Sequence, residues 1–478
     1  MSLKEGEVAP AEWWMPGAKA DKVPGTCEIT DDGRIVARLH RNPFQPADRA
    51  SLMLEPLEDI PILHGNVFGT EVTLIDCRVG KAKSGFTPHA DITLRPWFAL
   101  EGLLLDGEDL VVSNAEVRLR GQREWANWSA FSYEFEEKRL HPKSLTYTEP
   151  PSRTTSIPGG TLTISDDSIL WPQNGDATLT TQCKFVVKLS SSVDIRDFLR
   201  EYTLPLEILM SLAITSIAPI ESFFVSDDRW EAAAREQGRP NWLRLWFGNL
   251  KSREDSSEIT AEQLLFQLGD YRWEELGGQA FSVVTRWRYI IDQWIALINR
   301  QYRWPVPRFL TAVTIIEAVD RLLHPDAQSE RAVEYQEISE DVDNALRGIA
   351  CLNAKRRARI KKLIATSYEP SLEDRLARLS ERVEAGMTGL DLPEDWASRV
   401  AKLRNQVSHG LPEVHDLATD HRAAQVGEAI LLHLLESLFL YELGFNSEEL
   451  RTVMERRLRF GWRTSTITRG FESLPRGR

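Results

Sequence analysis

One short stretch of this 478-residue chain gathers residue types able to cleave a phosphodiester: Arg404-Asn405-Gln406-Val407-Ser408-His409-Gly410. Histidine exchanges protons near neutral pH. Arginine offers phosphate oxygens a permanent planar fork of donors. Where the nucleophile is the ribose 2′-OH of RNA, such a pair needs no metal. On a helix, Asn405 and His409 share one face, and Arg404 and Ser408 share another. A capping histidine beside a surface arginine has the same spacing.

The elements around the stretch must hold these residues in place. Pro393 suits a first helical turn, which has no partner for an N–H. Trp396, Val400, Leu403 and Val407 then form an apolar stripe at helical spacing. Gly410 fits the left-handed residue after a helix, and Pro412 forbids continuation. His409 is therefore expected in the last turn, where the helix dipole favours imidazolium. Arg404 and Asn405 flank the stripe rather than join it.

Arg404-Asn405 followed by His409-Gly410 resembles the arginine, four to six residues, histidine signature of HEPN ribonuclease domains. Phe309 to Leu323 resembles the first helix of that domain, with Glu317 where the family often carries an acid. Ser371-Leu-Glu-Asp-Arg-Leu376 is similar to the segment between these helices in the ApeA-like branch. Ile62-Leu-His-Gly65 followed by Val72-Thr-Leu74 is similar to the domain that ApeA-type anti-phage proteins place before the HEPN domain. The resemblance implies an anti-phage, abortive-infection toxin with a metal-independent endoribonuclease that cuts RNA, plausibly tRNA. Arg404 and His409 would be catalytic, with Asn405, Ser408 and Glu317 supporting them. Glu317 would pair with Arg404, or instead with Arg321 one turn on. The resemblance also implies a homodimer that joins two motifs in one cleft, with the helices near 309–323 and 396–409 at the interface, and a phage-derived trigger. It implies no cofactor and no metal.

Lys355-Arg-Arg-Ala-Arg-Ile-Lys-Lys362 places six bases in eight residues of an acidic protein. Lys355, Arg356, Arg357, Arg359, Lys361 and Lys362 are the candidate RNA-phosphate contacts. A solvated face set against the acidic segment Glu334 to Asp343 is the other reading. His409, His415 and His421 are spaced six apart, a poor helical register for zinc. Arg286, Arg288, Arg300 and Arg303 interleave with the aromatics of a helix expected over Phe281 to Tyr302. They suit either stacking on RNA or a solvated face over packed tryptophans.

A net charge of −13 argues against indiscriminate coating of nucleic acid, so any RNA site must be local. Hydrophobic content of 42% and charged content of 27% are those of a soluble globular chain. Four cysteines far apart in sequence form no disulfide framework, which suits a reducing cytoplasm. Met1 to Gly17 lacks the apolar core of a signal peptide. Pro205 to Ile220 and Ala429 to Tyr441 are apolar, but Glu207, His433 and Glu436 interrupt them. Buried helices are expected there rather than membrane spans. The sequence contains no phosphate-binding GxxxxGK[ST] loop, no GxGxxG after a strand, no GxSxG elbow and no HExxH.

From about residue 20 to 190, apolar and polar residues alternate. Val117 and Leu119 alternate with Glu116, Arg118 and Arg120. Cys183, Phe185, Val187 and Leu189 alternate with Lys184 and Lys188. Period two implies antiparallel strands packed on one face, and Asp31-Asp-Gly33 signals a hairpin. Beyond Ser190 the period becomes helical, with Pro205 expected to break a helix over Asp194 to Ile220. Trp304-Pro-Val-Pro307 marks a stiff break. After it, Phe309, Val313, Ile316, Asp320 and Leu323 recur at helical intervals. The expected fold class is multidomain α+β. It has an antiparallel β-sandwich-like N-terminal sensor or regulatory domain over 1–192 and a helical connector over 193–303. An α-helical HEPN-like bundle over 304–450 and a basic tail over 451–478, disordered or partner-bound, follow. Two other functions fit the residues: a non-catalytic RNA- or protein-binding platform with a ligand-sensing β-domain, and a carbohydrate-binding protein stacking sugars on Trp125 and Trp128.

Overall fold

The computed structural model describes residues 6–475 apart from 31–33, 41–58, 84–90, 129, 136–141, 174–175, 237–241, 248–258, 261–263, 299–303, 326–337, 350, 368–369, 410–416 and 461. The chain divides into two compact units. The first comprises Met1–Ala261 and Gln267–Phe281, the second Glu262–Phe266 and Ser282–Arg478.

Strict alternation builds the first unit. β1 (Val8–Trp14) buries Ala9, Ala11 and Trp13 and exposes Val8, Pro10 and Glu12. β2 (Val23–Ile29) and β3 (Ile35–Leu39) form the expected hairpin, with Ile29 opposite Ile35. Its tip, 31–33, lies outside the described residues. β4 (Ile60–Val67), β5 (Thr70–Lys83) and β6 (Asp91–Arg95) complete a ring. The antiparallel pairings run β5–β4–β1–β2–β3–β6 and return from β6 to β5, so the sheet closes into a six-stranded barrel. Closure is possible because β5 is 14 residues long, and closure leaves no exposed edge. Trp13 fills the interior beside Gly65, where an added Cβ would stand 2.3 Å from the indole ring.

The same β5 carries the sheet onward. Its first half also pairs with β7 (Phe98–Glu101), and the order continues through β17 (Leu243–Phe247), β16 (Ile220–Ser226), β8 (Val111–Leu119), β15 (Cys183–Asp194), β12 (Gly160–Asp166) and β11 (Arg153–Ile157). Two small hairpins, β9 (Phe131–Phe135) with β10 (Pro142–Tyr147) and β13 (Ile169–Gln173) with β14 (Asp176–Thr180), stand apart from it. The connector region thus contributes strands as well as helices: β16 and β17 insert between β8 and β7. Their alternation spans only five to seven residues, too short to stand out amid helical neighbours.

Pro205 does not break the helix that follows β15. Asp194 caps its start, its Oδ1 accepting the Arg196 N–H at 2.8 Å. A π-helical turn, Leu199–Thr203, then leads into Leu204–Ile214, which contains Pro205. The wider turn accommodates a residue that has no N–H to donate and whose ring crowds the preceding turn. Thr215, left-handed at φ 49°, ends the helix, so Ile220 opens a strand instead. Trp125 is fully buried against Phe185 and Trp273, which removes the sugar-stacking platform.

Helices build the second unit. α1 (Trp273–Ile298) begins in the first unit and enters the second at Ser282. There follow α2 (Pro305–Leu323), a helix over 338–347, α3 (Ala354–Ser367), α4 (Leu372–Arg382), α5 (Trp396–His409), α6 (Leu417–Glu442), α7 (Ser447–Phe460) and α8 (Trp462–Gly470). Pro305 takes the first turn of α2 after Trp304, so the proline-rich break is also a helix start. α6 is the central helix. It is long and apolar enough to cross a membrane, yet 94% of its apolar window is buried inside the protein. Trp287 and Trp294 of α1 pack on Phe439 of α6, so the interleaved aromatics are core. Of the interleaved arginines, Arg286 pairs with Glu442 and Arg288 is exposed, while Arg300 and Arg303 lie outside the described residues. The described part of the C-terminal stretch, expected to be disordered or partner-bound, forms α7 and α8. Phe471 and Leu474 are buried, Gly470 lies against Val426, and Arg422 donates to the Arg469 carbonyl at 2.7 Å. Its apolar residues, spaced among arginines, supply the docking face that charge alone conceals.

Glu207 lies part-buried on the Leu204–Ile214 helix, without a hydrogen-bond or ion-pair partner among the described residues. Lost hydration raises its carboxyl from 4.5 to about 7. The unfolded chain releases this proton near its ordinary value, so folding is favoured most at low pH. The advantage declines as pH rises toward 7 and is gone above it, a span of up to about 3 kcal/mol. Melting curves of wild type and Glu207→Gln should therefore diverge from pH 5 to pH 8, with the variant gaining relative stability. Parallel pH profiles would refute the assignment.

Candidate active site

Arg404 and His409 lie on α5, whose stripe is built as expected: Trp396, Val400 and Leu403 are buried and Val407 is partly so. The helix opens at Trp396 after a turn at 394–395, with the Trp396 N–H on the Pro393 carbonyl at 3.0 Å. Pro393 therefore precedes the helix rather than starting it. His409 is its last residue, and its side chain, with Gly410 and Pro412, lies outside the described residues. Asn405 and Ser408 are exposed.

The Arg404 side chain is 38% exposed. Its Nη2 stands 3.8 Å from Glu317 Oε1 on α2, and its Nη1 donates to Asn405 Oδ1 at 3.1 Å. Glu317 thus meets Arg404 across two helices. The carboxylate and the amide orient a guanidinium that keeps an accessible edge, an arrangement able to receive a phosphate oxygen.

Packing behind the pair fixes this meeting. Gly427 of α6 lies where α2 and α5 converge. An added Cβ there would stand 2.6 Å from the Phe309 ring and 3.3 Å from Leu403. Arg308 binds Glu428 of α6 through Nε at 2.8 Å and Nη2 at 2.5 Å. Farther along α2, Asp320 is 1% exposed and accepts from Arg375 at 2.9 Å and Arg378 at 2.8 Å, both on α4, with His324 Nδ1 at 3.1 Å. Asp320 shares the periodicity of Phe309, Val313 and Ile316. A charge on an apolar stripe was the signal for a buried partner.

The Ser371–Leu376 segment and the paired Ile62–Gly65 and Val72–Leu74 segments have structural tasks. Ser371 caps α4, with Asp374 completing a capping box, Arg375 binding Asp320, and Leu376 entering the core. In the barrel, His64 pairs across the β4–β5 hairpin with Thr73. Both hold one loop: His64 Nε2 lies 3.0 Å from the Leu105 carbonyl, while Thr73 Oγ1 donates to the Leu103 carbonyl at 2.9 Å and accepts from the Leu105 N–H at 3.0 Å.

α3 carries the basic run. Lys355, Arg356, Arg359 and Lys362 are exposed, Arg357 and Lys361 partly buried. Arg357 reaches back to the Leu352 carbonyl at 3.4 Å. Lys361 binds Asp343 at 3.1 Å, with Arg347 on the same carboxylate at 2.8 Å, and holds that carboxyl below its ordinary range. Part of the run therefore serves the acidic helix, while Lys355 and Arg359, one turn apart, are exposed. The apolar residues of α2 and α5 are used inside the unit: Phe309, Val313, Ile316, Val400 and Leu403 are all buried. They are therefore not free to form the expected dimer interface.

Among the described residues, no three His, Cys, Asp or Glu side chains converge as a metal site. His421 packs against Trp304 with ring centroids 6.1 Å apart, and His415 lies outside the described residues. Cys27, Cys77 and Cys183 are buried, and burial pushes the Cys27 thiol up to about 12, so it is no poised nucleophile.

Replacing Asp320 with alanine should destabilise the second unit by about 3–5 kcal/mol, because Arg375 would stay buried without its counter-charge. Chemical denaturation of the full chain measures this, and a loss under about 1 kcal/mol, the size of an exposed pair, would contradict it.

Comparison with known families follows the division of the chain. The ApeA N-terminal domain 1 family matches residues 11–276, ending within the first unit. The Apea-like HEPN family matches residues 310–449, which lie wholly in the second. No curated protein and no solved structure matches the chain. The first match alone spans more than half of the residues, and the second contains most of α2 and all of α3, α4, α5 and α6. The chain therefore belongs to the ApeA-like HEPN family of defence-associated proteins.

Proposed function

We propose that the second unit is a metal-independent endoribonuclease acting in the cytoplasm on RNA, plausibly tRNA, to abort phage infection, and that the first unit senses the trigger and restrains cutting. The observation that carries this reading is the half-exposed Arg404 guanidinium, oriented by Glu317 and Asn405 one turn before His409. The ribose 2′-OH attacks the adjacent phosphorus and the 5′-oxygen leaves, producing a cyclic phosphate. His409 moves a proton at the 2′-OH or at the leaving oxygen, a contribution of roughly 10²–10⁴-fold. Arg404 holds the non-bridging oxygens as negative charge grows. Ser408, exposed one turn from Arg404, orients the phosphate in this reading.

One histidine does not readily serve as both base and acid. A homodimer resolves this by presenting two motifs to one cleft. The faces available to it are those bearing Thr314 and Glu317 on α2 and Asn405 and Ser408 on α5, since the apolar stripes are already buried.

RNA cleavage by the full-length protein in EDTA tests the mechanism. Arg404→Ala and His409→Ala should each lower the rate by at least about 100-fold. The double variant should be little worse, because residues acting as a unit are non-additive. Arg404→Lys should also fail, since a point charge does not reproduce the fork. Folded variants that still cut at the wild-type rate would leave a non-catalytic RNA- or protein-binding platform. Activity lost in EDTA and restored by a divalent ion would overturn the metal-independent chemistry.

The exposed bases of α3 make a separate forecast for RNA binding. Reversing Lys355, Arg356 and Arg359 should weaken binding and flatten its salt dependence by about 0.7 per lost phosphate contact in log–log slope. An unchanged slope would assign α3 to solvation alone.

A further inference from the structure

The outer wall of the barrel presents a cluster that the proposed chemistry does not use. Arg78 of β5 lies directly opposite Arg95 of β6 in the antiparallel ladder, and both are exposed, while Cys77 and Leu94 beside them face the interior. Like charges directly opposite one another destabilise a sheet, since their Cβ atoms stand only about 4.5–5.5 Å apart. Among the described residues, neither arginine has an ion pair or a side-chain hydrogen bond. The acid two residues before Arg78, Asp76, is committed: Arg196 takes its two oxygens through Nε and Nη2, each at 2.7 Å. Arg38, the outward residue of β3 opposite Thr93, is held by Glu28 at 2.8 Å. Arg78 and Arg95 thus have no counter-charge among the described residues.

Trp97, two residues beyond Arg95, stands beside Arg78 and is 54% exposed. Its backbone N–H donates to the Ile75 carbonyl at 3.0 Å, which pins it against β5, and the Arg78 guanidinium carbon lies 5.4 Å from its ring centroid. An indole held open to water beside unpaired arginines narrows the class of partner. Bases of a single strand stack on aromatic rings while arginines take the backbone phosphates. A duplex keeps its bases stacked within itself and offers the ring little. An acidic peptide satisfies the arginines but leaves the indole idle.

We propose that this wall of the barrel binds single-stranded RNA, one base stacking on Trp97 while Arg78 and Arg95 hold adjoining phosphates. RNA as the occupant, in place of DNA, rests on the reading of the chain as an RNA-directed protein. The site gives a ligand class to the sensing role proposed for the first unit. It is read by binding, independently of whether the second unit cuts.

Fluorescence anisotropy of full-length His409→Ala protein with a labelled single RNA strand of about 12 nucleotides tests the proposal, against DNA of the same sequence, the RNA duplex and polyglutamate. The RNA strand should bind more tightly than any of these. Trp97→Ala should weaken its binding at least about fivefold, the low end for one stacked base, and Trp97→Phe, which keeps a ring, should restore most of it. Arg78→Ala with Arg95→Ala should flatten the log–log salt dependence by about 1.4, from about 0.7 for each lost phosphate contact. Both effects should persist with Lys355, Arg356 and Arg359 reversed, which removes α3 as a second site, and circular dichroism melts should show every variant folded. Ultraviolet crosslinking of a strand carrying iodouridine should label the peptide that contains Trp97. Crosslinks confined to the second unit overturn the proposal. So does unchanged affinity in Trp97→Ala, an unchanged salt slope, or tighter binding of the DNA, the duplex or polyglutamate. If the wild type cuts RNA while these effects are absent, this site alone falls. If Trp97 is labelled in a chain that cuts no RNA, the site stands and the nuclease reading falls.

Discussion

The second unit depends on a buried carboxylate meeting arginines. Asp320 lies almost wholly out of water and takes two guanidinium groups, Arg375 and Arg378, from α4. Leaving any one of these charges unpaired in the interior would cost more than most single contacts contribute, so the three move as a set. The device recurs. Glu428 takes Arg308, and Glu442 takes Arg286 and Arg382. Apolar packing alone lets a helix rotate or slide at modest cost, whereas a buried ion pair fixes both. Glu317 precedes Asp320 by three residues and so lies about 60° from it around the axis of α2. The rotation that sends Asp320 toward α4 therefore turns Glu317 toward α5 and Arg404. The geometry of the candidate site is set by a charge that never touches it.

The first unit rests on a different constraint, the obligation to pair backbone groups. β5 meets it by serving three neighbours, β4, β6 and β7, closing the barrel and handing the sheet on. Its residues do double duty. Thr73 pairs in the ladder while its hydroxyl both donates to and accepts from the 103–105 loop, and His64 opposite grips the same loop. Gly65 follows His64 because Trp13 occupies the space a side chain would need. The His-Gly pair is thus one solution to two local problems, a loop to be tethered and an indole to be housed.

Much of this was legible in the sequence where a single period ran uninterrupted. The alternations around Val117 and Phe185 became β8 and β15, and the stripes of Phe309 and Trp396 became α2 and α5. What escaped notice depended on contacts between distant residues. Barrel closure needs β6 to return to β5, and no local pattern encodes that. β16 and β17 are too brief to interrupt a helical reading. The π turn before Pro205 reconciles a helix with a residue that should end it, a compensation not visible in either residue alone. At the site, the Arg404–His409 spacing was plain, but the choice between Arg321 and Arg404 as partner of Glu317 depended on which way α2 is turned. The clue was present as Asp320 on an apolar stripe, and it becomes readable only when Arg375 is recognised as its counter-charge.

The pairing of Arg404 with Glu317 bears on how an RNA would engage the proposed site. At 3.8 Å the contact is an ion pair without the short fork of a bidentate bond, so a phosphate meets a guanidinium that is oriented but not saturated. The carboxylate exacts a cost, since it lowers the positive potential that would draw RNA inward. In a chain of net charge −13, that attraction cannot come from the protein as a whole. Charges beyond about 8 Å are screened at physiological ionic strength, so the distant acids repel weakly and nearby bases decide the approach. The exposed bases of α3 are suited to supply that field, and the acidic helix over 338–347 already neutralises one end of the run through Lys361. Capture and chemistry would then fall to different groups: exposed, interchangeable bases that give affinity, and one oriented arginine whose worth lies in its direction.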